Sequence, residues 1–106
     1  MLEVRGDGVT TGLREEHVLA AVEDYLNLRR AYFFKVHGHG MQRRGLPDIV
    51  GIYKGRGFGI EVKSPHGGKL SHEQRVELYL IYCAGGVAMV VNDVDQVRRK
   101  WEELDQ

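Results

Sequence analysis

A chain of 106 residues is the length of one domain, so residues 1–106 are predicted to form a single domain. Apolar residues make up 42% and charged residues 28%, which is typical of a globular protein and excludes a mostly disordered chain. One cysteine excludes an internal disulfide. With no apolar run long enough for a bilayer and no secretory leader, we expect a cytoplasmic protein.

The charges are unevenly distributed, although Lys and Arg balance Asp and Glu at 15 each. Residues 29–75 contain ten basic and three acidic residues, together with four of the five histidines. A neutral protein with a basic middle segment can present a positive face to a polyanion such as nucleic acid. Folding can also intermix these charges and remove such a face, and the sequence leaves both possibilities open.

The first predicted helix spans residues 12–30 and follows a loose lead-in of residues 1–10. Apolar residues recur within it at helical spacing, and Thr11 is a residue type that caps helix N-termini. The rest of the chain is expected to contribute four strands and two more helices. In chain order these are strands over 32–36, 48–54 and 58–63, a helix over 71–83, a strand over 87–91 and a helix over 94–104.

Local signals mark the ends of these elements. Two glycines within residues 54–57 favour a hairpin turn between the second and third strands. Ser71 with Gln74, and Asp93 with Gln96, match the capping-box pattern of helix starts. The order α-β-β-β-α-β-α predicts an α/β fold in which a mixed β-sheet is flanked by helices.

Two carboxylates are predicted to meet at one end of this sheet. Asp48 opens the second predicted strand, directly after Pro47. Glu61 and Lys63 lie two residues apart on the third predicted strand, so their side chains share one face of it. A hairpin brings Asp48 close to Glu61, where their repulsion calls for a hard cation such as Mg²⁺. The Val62 carbonyl would add an oxygen ligand. Lys63 would hold a water and stabilise charge on a phosphate.

Each part of this pattern has an ordinary structural explanation when it is taken alone. A Pro-Asp pair often only starts a turn or strand, and Glu-x-Lys is commonly a solvated ion pair worth under about 1 kcal/mol. Their occurrence together, at a spacing that suits a hairpin and inside a basic segment, favours the metal site.

Two further residues are candidates for the same site. Glu15 falls on the predicted buried stripe of the first helix, whereas Glu16 falls on its solvent face. An acid at the end of a buried stripe needs a partner such as a metal or its water, although a first-turn acid also compensates the helix dipole. Gln74 has two possible roles, which the sequence leaves open. It can cap the second helix together with Ser71, or its amide can reach the site from the helix face that it shares with Leu78.

Basic and histidine side chains are expected to contact phosphates beside the site. The histidines fit no zinc-ligand spacing, and no Gly-Lys-Ser/Thr sequence indicates a nucleotide-phosphate loop. For Lys69, a solvated lysine is the alternative. The candidate nucleic-acid-binding residues are Lys35, His39, Arg43, Arg44 and Lys69.

Four segments carry a family resemblance when they are taken in order. They are Arg-Gly-Leu-Pro-Asp-Ile-Val-Gly at 44–51, Phe-Gly-Ile-Glu-Val-Lys-Ser-Pro at 58–65, Lys-Leu-Ser-His-Glu-Gln at 69–74 and Gly-Gly-Val-Ala-Met-Val-Val at 85–91. Together they resemble the virus-type replication-repair nuclease (VRR-NUC) domain of the PD-(D/E)xK nuclease superfamily. The resemblance implies a restriction-endonuclease-like core and cleavage of DNA with Mg²⁺ or Mn²⁺.

The resemblance also implies roles for single residues. Asp48 and Glu61 match its metal-binding acids, Lys63 its catalytic lysine, Glu15 its helix-one acid and Gln74 the glutamine after the core motif. Small stand-alone members of this kind look phage- or bacterium-borne and resemble Holliday-junction resolvases, which implies a homodimer acting on branched DNA. Part of the second helix could form the interface, or could all belong to the core: Leu78, Tyr79, Ile81 and Tyr82.

The sequence therefore predicts a metal-dependent endonuclease acting on branched or otherwise structured DNA. One alternative is a non-catalytic nucleic-acid-binding module, which would have no need of two repelling carboxylates. Another is a nuclease that cuts duplex DNA at a specific sequence, for which 106 residues contain no visible recognition insert.

Overall fold

The computed structural model describes residues 14–37 and 43–106, and it has an α/β fold with a four-stranded sheet and three helices. The predicted α/β class with a mixed sheet is confirmed. The predicted lead-in over 1–10 and the Thr11 cap lie outside the described residues. The elements are α1 (Glu15–Leu28), β1 (Tyr32–Lys35), β2 (Ile49–Tyr53), β3 (Arg56–Val62), α2 (His72–Cys83), β4 (Val87–Val91) and α3 (Val94–Leu104).

The strands lie side by side in chain order, β1-β2-β3-β4. The first three form an antiparallel meander, and β4 pairs parallel to β3 after the chain crosses over through α2. Between β2 and β3 the turn consists of Lys54 and Gly55 alone, with φ of 49° and 82°. Two positive φ values indicate a type I′ turn, which matches the twist of the strands, and β3 accordingly begins at Arg56, before the predicted residue 58.

The helix ends follow local hydrogen-bonding patterns. Ser71 and Gln74 form the predicted capping box at α2, with bonds of 3.1 and 2.9 Å. The same helix ends in a Schellman motif at Gly85 and Gly86, whose N–H groups donate back to Tyr82 and Ile81.

At α3 the predicted capping box is only half formed. Asp93 caps the helix through the Asp95 N–H, but the Gln96 side chain accepts from the N–H of Asn92. The glutamine therefore reaches one residue further back than the pattern predicted, and it fixes the end of β4 to the start of α3.

One face of the sheet is sealed by α1 and α3. Alternate strand residues, including Ile49, Ile60 and Val91, point to that face and are buried against Val22 of α1. Trp101 of α3 lies in the same core. Its ring centroid is 5.2 Å from that of Tyr53 and 5.0 Å from that of Phe58.

The other face is covered by α2 over β3 and β4 only. The helix approaches so closely at Gly59 that a Cβ there would lie 2.5 Å from Ile81 Cδ1. Over β1 and β2 the same face remains open, and its apolar side chains Tyr32, Phe34 and Ile52 are exposed. Among the described residues, no helix has both the length and the apolar character needed to cross a membrane.

A polar cluster closes the sheet at the end that carries the β2–β3 turn, and we call it the hairpin-end cluster. The Arg29 guanidinium donates to the hydroxyls of Tyr25 (2.8 Å) and Tyr53 (3.2 Å). Asp105 accepts from Arg29, Tyr53 and Lys54, the last at 2.9 Å. The Lys54 hydrogen bond holds the pKa of Asp105 below its usual value. This cluster ties the end of α3 to α1 and the hairpin.

Candidate functional site

Asp48 and Glu61 meet at the end of the sheet opposite the hairpin turn. The antiparallel register that pairs Ile49 with Ile60 places Asp48 beside Glu61. One carboxylate oxygen of Asp48 accepts the N–H of Val62 at 2.7 Å. This bond holds Asp48 across the end of β3 and leaves its second oxygen for another partner. The structure therefore brings together the two acids and the residue whose carbonyl was the third predicted ligand.

Glu61 is a buried carboxylate, with 4% of the residue exposed. Its Oε2 accepts from the Gln74 amide at 2.9 Å and lies 3.5 Å from Lys63 Nζ. Burial, together with the negative charges of Asp48 and Glu15, raises the pKa of Glu61 to about 7 against the opposing effect of Lys63. One lysine thus fails to neutralise the acids here, and the site favours an added positive charge.

Gln74 serves both the helix cap and the site. Its Oε1 accepts the Ser71 N–H of the capping box, while its Nε2 donates to Glu61. Lys63 Nζ also donates to Oε1 at 3.4 Å. The two roles that the sequence left open are therefore filled together, because the start of α2 lies directly over the end of β3.

The loop before Asp48 packs against the first turn of α2. Gly45 has a φ of +88°, and a Cβ there would lie 2.4 Å from the main-chain carbon of Glu73. Any side chain at this position would separate the loop from the helix that carries Gln74. Sequence reasoning assigned Gly45 no role beyond its place in a motif, because its contact lies 28 residues further along the chain.

Glu15 is the first residue of α1, and it is exposed. The prediction that it belongs to the buried stripe is wrong, since the buried positions of the helix are Val18, Val22 and Leu26. The buried positions of α1 begin only at Val18, and the residues of the helix before it are exposed. Its charge nevertheless acts on Glu61. By contrast, Glu16 lies 4.0 Å from Arg14 on the exposed surface.

A divalent cation fits the chemistry of this site. Asp48, Glu61 and the Val62 carbonyl offer oxygen ligands, and the pKa of Glu61 is raised first by burial and then by the negative charge of Asp48, both of which a bound cation would offset. Within residues 14–37 and 43–106, no three His, Cys, Asp or Glu side chains form a metal-holding group. Mg²⁺ does not need one, because it commonly binds through one or two carboxylates and keeps several waters.

The predicted phosphate-binding residues are not all alike. Lys35 Nζ lies 3.4 Å from Glu23, and the Arg43 guanidinium donates to the buried Glu77 at 3.0 Å. These two basic groups already have acidic neighbours, whereas Arg44 and Lys69 are exposed on loops next to α2. His39 lies outside the described residues. Sequence patterns gave no sign of the Lys35 and Arg43 pairs, which join distant parts of the chain.

No protein-family model matches this chain, and no curated protein matches it either.

Proposed function

We propose that this protein is a divalent-metal-dependent endonuclease that hydrolyses phosphodiester bonds in branched or otherwise structured DNA. The observation that carries the proposal is the site itself: Asp48, Glu61, Lys63 and Gln74 share one end of the sheet, with Glu61 inside the protein. The motif resemblance to VRR-NUC domains, with their PD-(D/E)xK core, supports the same reaction.

Mg²⁺ or Mn²⁺ would be held by Asp48, Glu61 and the Val62 carbonyl, with Glu15 holding a bound water from the end of α1. When bound, the ion supplies an activated water at neutral pH and compensates charge on the phosphate. Its affinity would rise with pH, because protonated Glu61 is a poor ligand and its pKa is about 7 in the metal-free protein.

Lys63 and Gln74 would act as a pair around Glu61. The Lys63 side chain is 15% exposed, so its ammonium can reach both Glu61 and solvent at the site. We assign it the positioning of the attacking water and stabilisation of the developing phosphate charge. Gln74 donates to Glu61 Oε2, the same oxygen that Lys63 approaches, so Oε1 is the oxygen that would be offered to a metal.

The exposed Arg44 and Lys69 are the residues we expect to bind the DNA backbone first. Lys35, Arg43 and, beyond the described residues, His39 are proposed to add to this grip. Lys35 and Arg43 would contribute less than Arg44 and Lys69, because phosphate must compete with Glu23 and Glu77. Affinity should fall steeply with salt, as it does wherever phosphate contacts release counterions.

We further propose that the protein acts as a homodimer through the exposed side of α2 and the open sheet surface over β1 and β2. Of the four helix residues considered, Leu78 is buried and Ile81 packs on Gly59, whereas Tyr79 and Tyr82 are exposed by 65% and 69%. Together with Tyr32 and Phe34, these aromatics expose on the order of 500 Å² of surface. This area would be the larger part of the roughly 800 Å² that each partner contributes to a stable interface. Static light scattering of the wild type and Tyr82→Ser tests this surface, and a wild-type monomer would contradict it.

A cleavage panel tests the enzymatic proposal. Labelled single strand, duplex, flap and four-way junction are incubated with Mg²⁺, Mn²⁺ or EDTA, using wild type and Lys63→Ala. We expect metal-dependent cutting, greatest on a branched substrate and lost in Lys63→Ala. Binding without cutting in either metal would favour the non-catalytic module, and equal cutting of unbranched duplex at one sequence would favour the sequence-specific nuclease.

A further inference from the structure

A pocket of about 430 Å³ lies on the α1–α3 side of the sheet, and we call it the α1–β4 pocket. Its apolar walls are Val18 and Ala21 of α1, Pro65 after β3, and Val94 at the start of α3. Polar groups come from His17, Asn92 and Asp93. This combination of an apolar surface with a few polar groups is typical of sites for small organic groups.

The pocket is unsuited to a phosphate. Among the described residues that line it, none is Lys or Arg, and Asp93 contributes a negative charge. The start of α3 is already capped by the Asp93 carboxylate, which accepts the Asp95 N–H at 2.6 Å. An anion would meet an acid and, within this described lining, no lysine or arginine, so the pocket disfavours anions and admits a neutral group.

Two of the polar groups are held in place before any ligand binds. His17 Nδ1 accepts the Arg14 N–H at 2.9 Å, so in the neutral ring Nε2 carries the proton and can donate. The Asn92 amide oxygen accepts from Gln96 Nε2 at 2.9 Å. An apolar wall with a hydrogen-bond donor among its lining residues favours a flat ring with an acceptor at its edge.

Short stretches of chain link the pocket to the candidate active site. His17 is two residues from Glu15, whose charge acts on Glu61, and Pro65 is two residues from Lys63. The Lys63 N–H donates to the carbonyl of Val91, directly before Asn92. The end of β3 therefore carries catalytic candidates toward one face and joins the pocket wall on the other.

We propose that the α1–β4 pocket binds an unpaired nucleobase of the substrate, next to the phosphate that is cut. This inference rests on the proposed nuclease function and specifies its substrate: DNA with at least one unpaired base beside the cleavage site. A base is the neutral, flat group that a polynucleotide presents within reach of its phosphates. An unpaired base enters without the cost of leaving a duplex stack, so the pocket would favour branched DNA.

Binding to single-stranded DNA tests the pocket without cleavage. The probes are a base-bearing oligonucleotide, an abasic one of equal length, and one with 2-aminopurine, all in EDTA at low salt. Ala21→Phe fills the pocket, and Ala20→Phe is its matched control, because Ala20 is exposed on the same helix and does not line the pocket. Circular dichroism checks that both variants fold.

We expect wild type and Ala20→Phe to bind the base-bearing strand about tenfold more tightly than the abasic strand, a difference of about 1.4 kcal/mol, because the base leaves water for the apolar walls of the pocket. Ala21→Phe should lose this preference and the 2-aminopurine fluorescence change. A wild-type protein that binds both strands equally overturns the proposal, as does a preference retained in Ala21→Phe. If Ala21→Phe fails to fold, His17→Ala, at an exposed position, replaces it.

The two proposals fail in distinguishable ways. A protein that cuts base-bearing and abasic branches at the same rate keeps its nuclease function and loses the base pocket. A protein that cuts nothing, yet prefers the base-bearing strand through Ala21, loses the nuclease function and keeps the pocket.

Discussion

The two ends of the β2–β3 hairpin both carry acidic side chains, and the pKa values of these acids are shifted in opposite directions. At the hairpin-end cluster, Asp105 receives bonds from Arg29, Lys54 and Tyr53, and its pKa is lowered. At the other end, Asp48 lies beside Glu61, Lys63 contacts Glu61, and the pKa of Glu61 is raised to about 7. One cluster is electrostatically complete and stabilises the fold, whereas the other is short of positive charge, which is the condition of a site that binds a cation.

The largest expected effect is on activity at the incomplete cluster. Asp48→Ala should reduce metal-dependent cleavage by about a thousandfold or more, because a metal ligand contributes several kcal/mol to the transition state. Folding and most DNA affinity should survive. Cleavage rates and DNA binding measured for this variant and for Asp105→Asn make the comparison. Full activity in Asp48→Ala would remove Asp48 from the mechanism.

The next effect is a pH dependence of stability in metal-free buffer. The pKa of Glu61 is 4.5 in its usual state and about 7 in the fold, so the folded state binds the proton more tightly. The contribution of Glu61 to stability is fully present below pH 4.5 and is lost as pH rises to about 7. This loss lowers the free energy of unfolding by about 2–3 kcal/mol. Glu61→Gln should remove that loss. Urea unfolding of both proteins at pH 5 and pH 8 measures it, and parallel profiles would contradict the assignment.

A smaller effect should separate the two adjacent acids of α1. Glu15→Gln is expected to lower cleavage about tenfold, because the Glu15 charge acts at Glu61 and would hold a metal-bound water. Glu16→Gln should leave the rate nearly unchanged, since Glu16 lies by Arg14 on the surface. The ratio of the two rates at saturating Mg²⁺ is the measurement. The reverse order would assign the role to Glu16.

The smallest effect is expected at the complete cluster, and it has the opposite pH sign. The pKa of Asp105 is lowered from 3.8, so its stabilising effect is present above pH 3.8 and is lost as pH falls through the lowered value. Asp105→Asn should give a small loss of stability at pH 7 and none in acid, with unchanged cleavage. Thermal unfolding at pH 7 and in acid tests this prediction. A large loss of cleavage in Asp105→Asn would contradict it and show that the two clusters are functionally coupled.

Much of the fold could be predicted because its signals are local. The α2 capping box, the glycine-containing turn and the short apolar strand β4 each depend on residues within a few positions of one another. The pairing of Asp48 with Glu61 could also be anticipated, since a two-stranded hairpin fixes the register on both sides of its turn.

The rest depends on contacts between distant parts of the chain. Helical periodicity places Glu15 on the stripe of Val18 and Val22, but it does not report where the sheet ends, so it cannot show that Glu15 stays in solvent. The pairs of Lys35 with Glu23 and of Arg43 with Glu77 likewise depend on how separate elements pack. The α1–β4 pocket combines three segments that lie far apart in the sequence, so no local pattern could predict it.

The parallel pairing of β3 with β4 has a consequence for how the molecule assembles. The β2–β3 hairpin closes through a two-residue turn, whereas β4 can join only after α2 has spanned the distance between parallel strands, and such non-local pairings form slowly. Asp48 and Glu61 belong to the early part and Gln74 to the late one. We therefore expect refolding followed by pulse-labelled amide exchange to protect the hairpin first and α2 afterwards, so that the two acids are adjacent before Gln74 covers them.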